Sequence, residues 1–116
     1  MSKFISLNYE SGKKCCFEIK AILFNPDLGI VISGPKDIYT TLTVYVYFKG
    51  GKVKMESDSR DGKVAIKSCR IANCIFSQCD GDVKDKKIIK LKYDNGFERT
   101  LTLEDLYEEL LSVMLG

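Results

Sequence analysis

Residues 86–116, KKIIKLKYDNGFERTLTLEDLYEELLSVMLG, constrain the fold more than any other stretch, because every local signal in them points to a β-hairpin that runs directly into an amphipathic helix. Ile89, Leu91 and Tyr93 alternate with Lys90 and Lys92, the period-2 pattern of a strand with one wet face. Asp94-Asn95-Gly96 supplies residues that tolerate positive φ, as the expected type I′ hairpin turn requires. The return strand places Phe97, Arg99, Leu101 and Leu103 on one face, which puts a cation on a mostly apolar side. After Thr102 the period changes. Leu103, Leu106, Tyr107, Leu110, Leu111 and Met114 then form an apolar helical stripe. Thr102 is the expected N-cap, and Glu104 and Asp105 fall in the first turn, where the helix dipole favours negative charge. A helix of about 12 residues is marginal alone, so this one must draw its stability from packing on the sheet.

Upstream of the hairpin the chain reads as strands and turns. Apolar alternation marks strands at 3–9, 15–25 and 29–33; on 15–25 it places Cys15, Phe17, Ile19, Ala21 and Leu23 on one face. Asn25-Pro26-Asp27-Leu28-Gly29 is a turn, and Gly34-Pro35 is expected to stop the following strand. Residues 38–49, IYTTLTVYVYFK, form the strongest strand, dense in β-branched and aromatic side chains. Strands at 52–57 and 63–71 follow, and 72–78 is expected to continue the latter after a bulge or kink. Residues 80–87, DGDVKDKK, are polar and read as a mobile loop. The expected architecture is therefore a single domain over 1–116, mainly β. Seven or eight antiparallel strands over about 3–101 curl into a barrel or sandwich, with one C-terminal helix over about 103–115.

At 116 residues the chain is long enough for one modest core. No apolar run approaches a membrane span of about 18 residues, and MSKFISLNYE lacks the layout of a signal peptide. The expected location is the cytoplasm. Five cysteines and no histidine fit reduced thiols, and they exclude Ser-His-Asp and Cys-His nucleophile systems within the chain. Cys69, Cys74 and Cys79 stand at C-x4-C-x4-C, which fits neither a zinc knuckle nor plant-type iron–sulfur spacing, so they read as small buried hydrophobes. Asp80, Asp82 and Asp85 lack the longer ligand series and closing glutamate of an EF-hand calcium loop. No metal or cofactor is expected. Arg60 with Asp61, and Arg99 with Glu98 or Asp94, are the acid–base pairs available for catalysis, each at a turn or strand edge. The expectation is a protein that is not an enzyme, with no catalytic residues.

In element order the chain resembles the pleckstrin-homology-like superfold, through the hairpin YDNGFERTLT running straight into LEDLYEELL. That resemblance implies a bent sandwich of seven strands whose open end is plugged by the helix. The basic β1–β2 loop of its phosphoinositide-binding members is represented here by Lys13-Lys14 alone, and the tryptophan common in the family's helix is missing.

Two binding surfaces emerge. Tyr39, Thr41, Thr43, Tyr45 and Tyr47 share one face of the strongest strand, with Leu42, Val44, Val46 and Phe48 on the other. If the tyrosine face is exposed, its apolar area with polar tips suits a protein interface, either with another protein or with a second copy in a homodimer. If it is covered, it is a second core face. The alternative surface is basic. Outside residues 103–116, which hold four acids and no base, the chain carries 18 bases against 12 acids, or +6. Lys49, Lys52, Lys54, Lys63, Lys67 and Arg70 form one cluster and Lys84, Lys86, Lys87, Lys90 and Lys92 another. Such strands would suit a polyanion: nucleic acid, anionic lipid or a phosphorylated ligand. The leading expectation is a small protein-binding module, an inhibitor or adaptor of the sort carried by phages and mobile elements, acting through its sheet face or edge.

Overall fold

The computed structural model describes residues 3–36, 41–59, 62–80 and 87–115. Its strands are β1 (Phe4–Tyr9), β2 (Lys14–Glu18), β3 (Ala21–Asn25), β4 (Gly29–Lys36), β5 (Thr41–Lys49), β6 (Lys52–Ser59), β7 (Gly62–Ile71), β8 (Cys74–Ser77), β9 (Ile88–Tyr93) and β10 (Glu98–Thr102), followed by the helix α1 (Leu103–Leu115). All pairings are antiparallel. The main path runs β10-β9-β8-β7-β6-β5-β4-β3, with β1 added to β7 and β2 to β1.

Strand β7 is the corner of this curled sheet. Its first half pairs with β6, from Ser59 opposite Gly62 to Glu56 opposite Ala65. Its second half pairs with β1 on one side and β8 on the other. Between the halves, Tyr9 faces Ile66 while Asn8 faces Ser68, so Lys67 is an extra residue in the ladder. A bulge of this kind bends a strand and increases its twist, which lets one strand serve both halves of the sheet. Where β7 leaves β6, the Val53 amide donates instead to the Cys79 carbonyl at 2.6 Å.

The two ends of the path, β3 and β10, are bridged by α1, which packs on β3, β4, β9 and β10. The expected stripe does this. Leu103, Leu106 and Leu110 are buried in the core with Ile30, Ile32, Val44, Val46, Ile89 and Leu91. Tyr107 stacks on Phe24 of β3 with ring centroids 5.7 Å apart. On the opposite side of the seam, Arg99 of β10 binds Glu109 at 2.8 Å and donates to the Tyr93 hydroxyl at 3.1 Å. Arg99 does lie on the apolar side, opposite Leu91, and the helix supplies its counter-charge. The Asp105 amide donates to the Thr102 hydroxyl at 3.1 Å, so Thr102 is the N-cap.

The mainly β fold with one C-terminal helix matches the sequence reading, and two of the expected segments each divide in two. Residues 15–25 become β2 and β3, because the chain changes sheet edge at Ile19-Lys20. The face alternation flips there: Phe17, Ile19 and Ile22 are buried while Leu23 points outward. Residues 72–78 do not extend β7. The chain reverses at Ala72-Asn73, with Ile71 opposite Cys74, and β8 returns antiparallel. Ala72 takes the left-handed conformation there (φ 54°). Gly34 and Pro35 lie inside β4, at a register shift between Ser33 and Lys36, and the Phe17 ring covers Gly34 where a Cβ would sit. No helix among the described residues is long and apolar enough to cross a membrane.

Candidate functional site

Strands β3 to β6 turn alternate residues outward, and the registers align them in rows. Leu23, Val31, Tyr45 and Glu56 stand side by side, each directly opposite the next. A parallel row holds Ala21, Ser33, Thr43 and Asp58, and on the other side Tyr47 stands opposite Lys54. The reverse side of the same strands is core: Ile22, Ile32 and Val44, then Ile30, Val46 and Met55, are buried. Burial of that side fixes the register, since a one-residue slip would exchange the two faces. The outward row is therefore a consequence of the core.

The outer face is apolar toward β3 and charged toward β6. Leu23 is 59% exposed, and Leu28, in the turn between β3 and β4, is 54% exposed. Val31, Thr43, Tyr45 and Tyr47 are half-buried. The Lys63 ammonium sits 5.2 Å from the centre of the Tyr45 ring, within reach of a cation–π contact. Partial burial, followed by the neighbouring Glu56 carboxylate, pushes the Tyr47 phenol up from its ordinary value. The aromatic rings are thus held in place by charged neighbours, which lowers the ordering cost of any contact they make. Of the five tyrosine-face positions read from the sequence, Thr43, Tyr45 and Tyr47 come together here, Thr41 opens β5, and Tyr39 lies outside the described residues. Leu23 and Val31 were missed. The signal was available in the alternative alternation of Ile22 with Phe24 and of Ile30 with Ile32.

The basic residues divide between the two halves of the sheet. Lys49 and Lys52 face each other at the β5–β6 turn, and Lys54 and Lys63 lie beside the tyrosines. Lys67 is at the bulge in β7. Of the remaining four described residues, Arg70 pairs with Asp94 at 3.0 Å and Lys90 and Lys92 both pair with Glu98 at 3.5 Å, while the Lys87 ammonium donates to the Pro26 carbonyl at 3.2 Å. Lys84, Lys86, Asp82, Asp85 and the Arg60-Asp61 pair lie outside the described residues. Glu98 and Asp94 are thus engaged by other bases, and Arg99 reaches Glu109 instead of either.

All five thiols are free. Cys69 is in the core with its Sγ 3.7 Å from Met55 Sδ, and burial pushes its thiol well above the ordinary value. Burial is also the main cause that raises the Cys74 thiol. Neither environment favours a thiolate. Among the described residues no group of three or more cysteines and carboxylates is placed to hold a metal ion. A hollow of about 320 Å³ is lined by Phe4, Ile71, Ala72 and Val113 with Lys3 and Arg70, the latter already held by Asp94. In comparisons with known proteins, no family model, no curated protein and no solved structure matches the chain.

Proposed function

We propose that the chain is a small, non-enzymatic protein-binding module that engages its partner through the outer face of β3–β6. The observation that carries this reading is the cross-strand row Leu23–Val31–Tyr45, an apolar strip on a sheet whose other face already forms the core. Tyrosine beside aliphatic residues, rimmed by charges, is the composition of interface centres. The polyanion reading is weaker on the same observations. Arg70, Lys90 and Lys92 are matched by acids, and Glu56 and Asp58 stand among the lysines of the outer face. A polyanion lying across Lys54 and Lys63 would also meet the Glu56 and Asp58 carboxylates.

The test places a photo-crosslinking benzoylphenylalanine at Tyr45 and, as a control, at Glu10 in the β1–β2 turn of chains produced in cells. A discrete polypeptide adduct from position 45 that is missing from position 10 is the expected result. Equal, diffuse labelling from both positions would remove the proposal. A tyrosine-centred contact should also survive added salt, whereas polyanion binding falls steeply as counterions are released.

A further inference from the structure

The charges on the outer face have an order that the apolar row alone does not explain. Along β6, Lys54, Glu56 and Asp58 all point outward, and Glu56 is the member that continues the row Leu23–Val31–Tyr45. Rotating a copy by a half-turn about that row lays the row on itself, Leu23 on Leu23 and Tyr45 on Tyr45. It also places Lys54 of each copy over Asp58 of the other, because the two are equidistant from Glu56 along the strand. Sheets packed face to face lie about 10 Å apart with strands within about 30° of alignment, which suits side chains of this length. We propose that the occupant of this face is a second copy of the chain, in an isologous dimer with Lys54 and Asp58 paired reciprocally across the two-fold axis. The proposal rests on the protein-binding reading above and names its partner. A self-complementary patch is what a two-fold interface requires.

The geometry also sets the strength. Four strands by three outward rows give a footprint of about 400 Å² per copy, from strand spacings of about 4.8 Å and side chains included. Standard interfaces bury about 800 Å² per partner. The two Glu56 carboxylates meet at the axis as an added cost. The dimer is therefore weak, and it forms at high local concentration.

Sedimentation equilibrium between about 10 µM and 1 mM tests this. The wild-type mass should rise from 13.1 kDa toward twice that value. Lys54→Asp alone and Asp58→Lys alone each set like charges against each other in the homodimer, and association should weaken roughly tenfold or more. Mixed in equal amounts, the two variants present opposite charges at both contacts, and association should return. If either reversal disturbs the fold in a thermal melt, Lys54→Gln and Asp58→Asn replace them; each should weaken association alone, and their mixture, whose heterodimer keeps one of the two Lys54–Asp58 pairs, should recover part of it. Single reversals that associate like wild type, or a mixture that stays monomeric, would overturn the proposal. A wild-type chain that is monomeric throughout would overturn it too. In that case a crosslink from Tyr45 to a different polypeptide leaves the protein-binding reading standing, and no specific crosslink ends both.

Discussion

Replacing Leu106 by alanine should cost the fold about 2–5 kcal/mol, the range for truncating a fully buried leucine that leaves a cavity. Leu106 is completely buried, on the helix that bridges β3 and β10. Those strands are the two ends of the main path and make no ladder with each other. The side chains of α1 are what close the curled sheet, so the loss is felt at both ends of it. A domain of this size has total stability of about 5–15 kcal/mol, so the variant should melt about 10–20 °C lower. Leu111, on the flank of the stripe and only partly buried, should cost less when truncated to alanine. Chemical denaturation of both variants measures the difference. A loss below about 1 kcal/mol for Leu106→Ala would mean that the helix is a dispensable cover.

The second large effect is expected from Gly29→Ala. Gly29 closes the β3–β4 turn, where the Asn25 side chain accepts hydrogen bonds from the amides of Asp27 (2.8 Å) and Leu28 (3.1 Å). It holds φ at +96°, which L side chains rarely adopt. An added Cβ would overlap the Val46 carbonyl oxygen and stand 3.1 Å from the Tyr47 Cα, so backbone of β5 would have to move. Backbone strain and overpacking together should cost about 2–4 kcal/mol. The displaced strand carries Tyr45 and Tyr47, so the same variant should also lose the contacts of the outer face. Gly12, with a comparable φ of +91° but open space where its Cβ would go, is the control for strain without overlap. Equal melting of the two alanine variants would refute the steric part of this account.

How much of this was legible in the sequence depended on how local the deciding interactions are. The β9–β10 hairpin, the Thr102 cap and the α1 stripe are all fixed by residues within a few positions of one another and were read correctly; the turn was placed correctly at Asp94–Gly96, but only Gly96 of it takes positive φ, so it is a three-residue turn and not type I′. The placement of Arg99 was legible too, although its partner was not: Glu109 is brought to it by the helix folding back across the seam. The break at Ile19-Lys20 was missed because a change of sheet edge keeps the period-2 alternation on each side and alters only its phase. That error put Leu23 inside, and so hid one end of the apolar row. The β7–β8 reversal was missed because alanine is a poor marker for a positive-φ turn, whereas Asn95-Gly96 is a good one. The charge pairs that engage Arg70, Lys90 and Lys92 depend on cross-strand register and are not readable from spacing.

Only the tyrosine strand of the candidate face was legible. Thr43, Tyr45 and Tyr47 share one strand and so share a pattern, while Leu23, Val31 and Lys54 join them only through the pairing of four strands. What makes the face a candidate interface is that row, so the most direct measurement asks whether the row is covered when the protein is at work. Hydroxyl-radical footprinting of the chain in cells, compared with the purified chain at about 1 µM, below the range where a weak interface holds, reads this residue by residue. Leu23, Tyr45 and Tyr47 should be protected several-fold in cells, while Phe97, which is 57% exposed on the β9–β10 hairpin, should label equally in both. Equal labelling of Leu23 and Tyr45 in both settings would contradict the account, because an interface that leaves its central row open to solvent is not an interface.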